Sequence, residues 1–108
     1  AIMVVQADPE WCGGVSELVK ICTLASVHGV NVIPHGHCLH AAMHVVASQP
    51  VETCPLVEYL IQKMGNYYDL EKYQPKPVDG MLELPDQPGF GIELDESKIE
   101  DIRPVSNL

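Results

Sequence analysis

Apolar and polar residues change their rhythm several times along the chain. Ile2 to Gln6 is a short, nearly continuous apolar run of strand length, closed by the turn signals Asp8-Pro9 and Gly13-Gly14. From Val15 the spacing becomes helical: Val15, Leu18, Ile21, Cys22 and Ala25 share a face, and Gly29 is placed to end the helix. Val30 to Ile33 reads as a second strand stopped by Pro34. A histidine-rich loop leads into a helix over Leu39 to Ser48, and Pro50 and Pro55 bound a linker. Leu56 to Leu60 reads as a third short strand, followed by an irregular stretch, GNYYDLEKYQPKPVDG. Further on, Asp79-Gly80 signals a tight hairpin turn. Asp95 is placed to cap a last short helix near Glu96.

The order β-α-β-α-β, with connections long enough for parallel strands, predicts an α/β architecture whose apolar strands are covered by helices. Three strands with two open edges and uncovered helix faces do not close a core. The expectation is a sector of a larger sheet or barrel, entered midway along its first strand and belonging to a longer polypeptide.

Composition narrows the partners. The 108 residues carry 15 acidic against 6 basic side chains, a net charge of −9. Such a balance argues against nucleic acid or an anionic membrane, which need a basic face. The N-terminus lacks the features of a signal peptide, and no apolar run reaches the roughly 20 residues of a membrane helix. Cys12, Cys22, Cys38 and Cys54 show no CxxC spacing and sit in apolar or helical company. They are expected as reduced thiols acting as small hydrophobes, in a cytoplasmic protein.

In parallel α/β folds the chemistry gathers at the C-terminal strand ends. Asp8 follows the first strand, His35 follows the second in Val-Ile-Pro-His-Gly, and Glu58 lies on the third. Taken singly, Asp8 reads equally as a turn opener and His35 as a loop histidine. Glu58 in an apolar strand is harder to dismiss, because an unpaired buried carboxylate is costly. Together they supply an imidazole base, an aspartate to orient it and a carboxyl group facing a bound substrate. Trp11 is expected at the rim of the pocket. A competing reading is a small zinc module built from His37, His40 and His44 near Cys38, since His40 and His44 share a helix face. No glycine-rich phosphate loop and no GxSxG elbow is present.

The strings Gln6-Ala7-Asp8, Trp11-Cys12-Gly13-Gly14-Val15, Val32-Ile33-Pro34-His35-Gly36, Glu58-Tyr59-Leu60 and Pro88-Gly89-Phe90-Gly91-Ile92-Glu93-Leu94 resemble the C-terminal part of the enolase superfamily. Within it the chain is similar to the mandelate racemase subgroup, and there to acid-sugar dehydratases of the L-rhamnonate type. The resemblance implies the last three strands of a modified TIM barrel, (β/α)7β. Residues 1–74 would be barrel, and residues 75–108 a tail packing on a capping domain. It implies a lyase that removes the proton next to a carboxylate and eliminates the 3-hydroxyl of an aldonic acid, giving a 2-keto-3-deoxy acid. Racemisation or sugar-acid cycloisomerisation is the alternative within the superfamily, and a non-catalytic subunit the alternative outside it.

On that resemblance His35, Asp8 and Glu58 are the catalytic residues, and Glu58, His37 and Trp11 the substrate-binding ones. Mg²⁺ is the implied cofactor, held by carboxylates on earlier strands and by none in this chain. The implied partners are the rest of the polypeptide, a small sugar acid and further copies in a homo-oligomer. His37-Cys38 departs from the family pattern, which has small polar residues there.

Overall fold

The structure, a computed structural model, describes residues 1–104. Strand β1 (Val4–Val5) pairs in parallel with β2 (Asn31–Val32), with Val4 opposite Asn31 and Val5 opposite Val32. Backbone bonds extend this pairing on both sides, from Asn31 N–H to Met3 and from His35 N–H to Ala7. The first two predicted strands therefore form, shortened to their paired centres.

Helix α1 (Val15–Val27) crosses between them. It buries Leu18, Cys22 and Ala25, spaced to fall on one face, with Val15 and Ile21 packed at the margin. Val32, Val45 and Cys54 complete this core. Gly14 starts the helix at φ 100° and Gly29 follows its end at φ 62°, conformations that side chains disfavour. A turn at Gly36–Cys38 leads into α2 (Leu39–Ala47), which is buried over most of its circumference.

The third predicted strand does not form a ladder. The segment after Pro55 runs beside β2, but its backbone contact is a single bond from Glu58 N–H to the Pro34 carbonyl, 3.3 Å. Pro34 and Pro55 have no N–H to donate, so the alternating bonds of a strand pair are interrupted on both sides. Helix α3 (Ile61–Tyr67) follows, where the sequence reads as irregular. Met64 and the adjacent Tyr68 are buried against Leu39 and Met43 in a second core.

The C-terminal segment carries little regular structure. Asp79 and Gly80, at φ 49° and 76°, make the expected tight turn between Val78 and Met81. The chain then returns so that Leu94 bridges Glu71. Asp95 accepts from Ser97 N–H at 3.2 Å and caps the expected short helix, a single 3₁₀ turn (Glu96–Lys98). Hydrogen bonds from Ser97 hold the Asp95 carboxyl below its ordinary range.

Ile2, Met3, Leu24 and Val27 are all more than half exposed. Together with the two-stranded sheet of the described residues they leave apolar faces uncovered, as expected of a barrel sector. No helix among the described residues is long and apolar enough to cross a membrane.

All four cysteines are free thiols. Cys22 and Cys54 are buried with their sulfurs 3.6 Å apart. Burial, and secondarily the Cys22 thiol, pushes Cys54 up to about 12, and burial also raises Cys22. At pH 8 roughly one Cys54 in 10⁴ is then thiolate, the nucleophilic form. Iodoacetamide should leave both residues unmodified in the native protein and label them promptly in denaturant, as read by peptide mass spectrometry. Native labelling of Cys54 as fast as a free thiol would contradict this packing.

Candidate active site

The three strand-end residues meet. Asp8 sits in the turn that ends the extended β1 segment and is 4% exposed. Its Oδ1 accepts from Glu10 N–H at 2.8 Å, and its Oδ2 accepts from His37 N–H at 3.2 Å. The same Oδ2 lies 3.1 Å from His35 Nδ1. A carboxylate that already collects two backbone donors acts as acceptor here too, so Nδ1 carries the imidazole proton. The lone pair is thereby placed on Nε2, on the far side of the ring.

That nitrogen faces Glu58, with His35 Nε2 and Glu58 Oε2 3.6 Å apart. Glu58 Oε2 also accepts from Gly36 N–H at 3.0 Å, and its side chain is about one-third exposed. Gly36 permits this approach: a Cβ there would stand 2.5 Å from the Glu58 carbonyl oxygen. The Pro-His-Gly string thus bends the chain so that the imidazole and the next segment's carboxyl group share one face. The arrangement has the elements of proton abstraction: an oriented base, a carboxylate behind it and a polar group beside the reacting position.

Trp11 and His37 border this group. The Trp11 ring stacks at 5.8 Å and 24° from His35 and lies 5.1 Å from His37. Trp11 is 68% exposed, a rim position and not a core one. His37 Nδ1 contacts Glu10 Oε2 at 3.2 Å and the Tyr67 hydroxyl at 2.8 Å. Glu10, Gly36 and Tyr67 are absent from the expected site. No local pattern marks Tyr67, which reaches His37 from 30 residues further along the chain.

The zinc reading does not assemble. His40 Nε2 is bound to Glu71 Oε2 at 2.8 Å in a buried pair. His44 Nδ1 is bound to the His40 carbonyl oxygen at 2.7 Å, while His37 belongs to the strand-end group. Among the described residues no group of three or more His, Cys, Asp or Glu side chains is placed to hold a metal ion, so the three histidines form no zinc site.

Residues 1–98 match the family model described as enolase C-terminal domain-like. The chain belongs to the enolase superfamily. Its fold is accordingly a C-terminal sector of that family's TIM barrel. It is 36% identical over 110 residues to an L-rhamnonate dehydratase from Saccharopolyspora erythraea, covering 96% of this chain and 27% of the relative. It is 31% identical over 112 residues to a putative L-rhamnonate dehydratase from Caldivirga maquilingensis, covering 98% of this chain and 27% of that protein. The chain therefore spans about a quarter of the length of these curated relatives. The solved structure of a mandelate racemase/muconate lactonizing enzyme superposes with a TM-score of 0.70 at 26% identity, over 90% of this chain and 26% of the other.

Proposed function

We propose that this enolase-superfamily chain supplies the proton-abstracting side of an acid-sugar dehydratase. The supporting observation is the imidazole of His35, tied at Nδ1 to Asp8 and open at Nε2 toward Glu58. The likeness to two dehydratases named for L-rhamnonate makes that aldonate the first substrate to test.

In this reading His35 Nε2 takes the C2 proton of the bound sugar acid. Asp8 fixes the tautomer and balances the imidazolium that forms. Negative charge then builds on the substrate carboxylate, where the Glu58 carboxyl group donates a hydrogen bond that strengthens as the charge grows. Loss of the 3-hydroxyl and ketonisation give the 2-keto-3-deoxy acid. Trp11 and His37 flank the position where the substrate would lie. The Mg²⁺ implied by the family takes its ligands from outside this chain. Of the tail expected at residues 75–108, residues 75–104 are proposed to rest against a capping domain of the same polypeptide, and residues 105–108 lie outside the described residues.

The test is direct: the full-length protein is incubated with L-rhamnonate and Mg²⁺, and a 2-keto acid is followed by semicarbazone absorbance. Its steady appearance, with C2 and C3 changed in the product's NMR spectrum, is the expected result. Inversion at C2 without loss of water would point to a racemase instead.

A further inference from the structure

The strand-end site contains the same motif twice. Asp8 and His35 are 27 residues apart and meet through Nδ1, and so do Glu10 and His37. Each member of the second pair lies two residues beyond its counterpart in the first. The two imidazoles are nearly parallel, with centroids 5.8 Å apart and planes 18° apart, and Trp11 lies against both. Asp8 ties the pairs together, accepting from His37 N–H while holding His35.

We propose that Glu10–His37 is a second carboxylate–imidazole pair, and that His37 donates the proton that lets the 3-hydroxyl leave. This rests on the dehydration reading given above. The described contacts of the His37 ring nitrogens all fall on Nδ1, which faces the Glu10 carboxylate and the Tyr67 hydroxyl. A carboxylate can only accept, so Nδ1 carries a proton and shares it between Glu10 and the Tyr67 oxygen. The far nitrogen, Nε2, is left to exchange a proton with a ligand. Tyr67 is a positioning residue that fixes the ring from the other side. Desolvation, and then the negative charges of Glu10 and Asp8, push its hydroxyl above the usual tyrosine range, so it stays neutral.

The division of labour balances. His35 takes the C2 proton. The C3–O bond breaks, its electron pair leaving with oxygen, and His37 Nε2 supplies the proton that makes the leaving group water. As the enol ketonises, its O2 proton passes to solvent and His35 returns a proton to C3. His37 regains its proton from solvent. Two imidazoles working in this way spare a single one from being base and acid in the same turnover.

The test uses the full-length protein with L-rhamnonate and Mg²⁺ in D₂O. His37→Asn should cut keto-acid formation by about 10²–10³-fold. Exchange of the C2 proton with solvent should stay within several-fold of the parent. A 3-deoxy-3-fluoro analogue, whose fluoride leaves without a proton, should restore elimination in this variant toward the parent's rate. Glu10→Gln should lower elimination in the same direction but less, again with exchange retained, and near-UV dichroism reports that both variants keep their packing. Equal loss of exchange and elimination, elimination unchanged, or no recovery with the fluoro analogue would overturn the inference alone. A parent protein that makes no keto acid would overturn the proposed reaction, and the inference with it.

Discussion

Replacing His35 with asparagine in the full-length protein is expected to lower kcat by about 10²–10⁴-fold, with little change in KM. The reason lies in the direction of its two nitrogens. Nδ1 is committed to the buried carboxylate of Asp8 at 3.1 Å, so Nε2 is the nitrogen facing outward toward Glu58. Asparagine is shorter and carries no basic nitrogen, so it can neither span that gap nor accept a proton. In the proposed reaction His35 acts at the reacting carbon, so its loss is expected to fall on the transition state and not on uniform binding. Steady-state kinetics with the acid sugar reads this split. A rise in KM with kcat intact would make His35 a binding residue.

Glu58 should show a graded loss. Glu58 Oε2 accepts from Gly36 N–H at 3.0 Å, and the other carboxyl oxygen is available to a substrate. Glutamine reproduces both functions, its carbonyl oxygen accepting from Gly36 and its NH₂ donating to the charged intermediate. Alanine removes the donor and also leaves the Gly36 N–H without its partner, loosening the turn that holds His35. Loss of one such donor typically costs about 10²–10³ in kcat, and Glu58→Ala should show at least that. Glu58→Gln should fall by distinctly less, with KM nearly unchanged in both. Equal losses in the two variants would show that donation from this position is not what matters.

The sequence made the strand-end group legible because each member has a local signature. Asp8 stands at a turn, His35 between a proline and a glycine, and Glu58 in an apolar segment with no neighbouring partner. Helix α1 was equally plain, since Leu18, Cys22 and Ala25 keep a helical period between glycines. The third segment reads as a strand because an apolar run has that pattern whether or not its neighbour can donate. Pro34 and Pro55 withdraw the donors, and that is a property of the pair of segments. Helix α3 was hidden by Gly65 and by the polar residues beside Met64, its one buried position. Its tyrosines reach Leu39 and His37 from far along the chain, a contact that no local pattern encodes. The zinc reading failed for a similar reason. His40 has the right spacing to His44, but its partner is Glu71, 31 residues away.

Asp8, His35 and Glu58 are proposed to form a proton-abstracting centre. The most direct measurement is solvent exchange at C2 of L-rhamnonate, followed by NMR in D₂O with Mg²⁺ and the full-length protein, parent against His35→Asn. Deuterium should enter C2 of the remaining substrate with the parent alone, and the variant should leave C2 protonated. Exchange by His35→Asn at the parent's rate would place the base elsewhere and contradict the account.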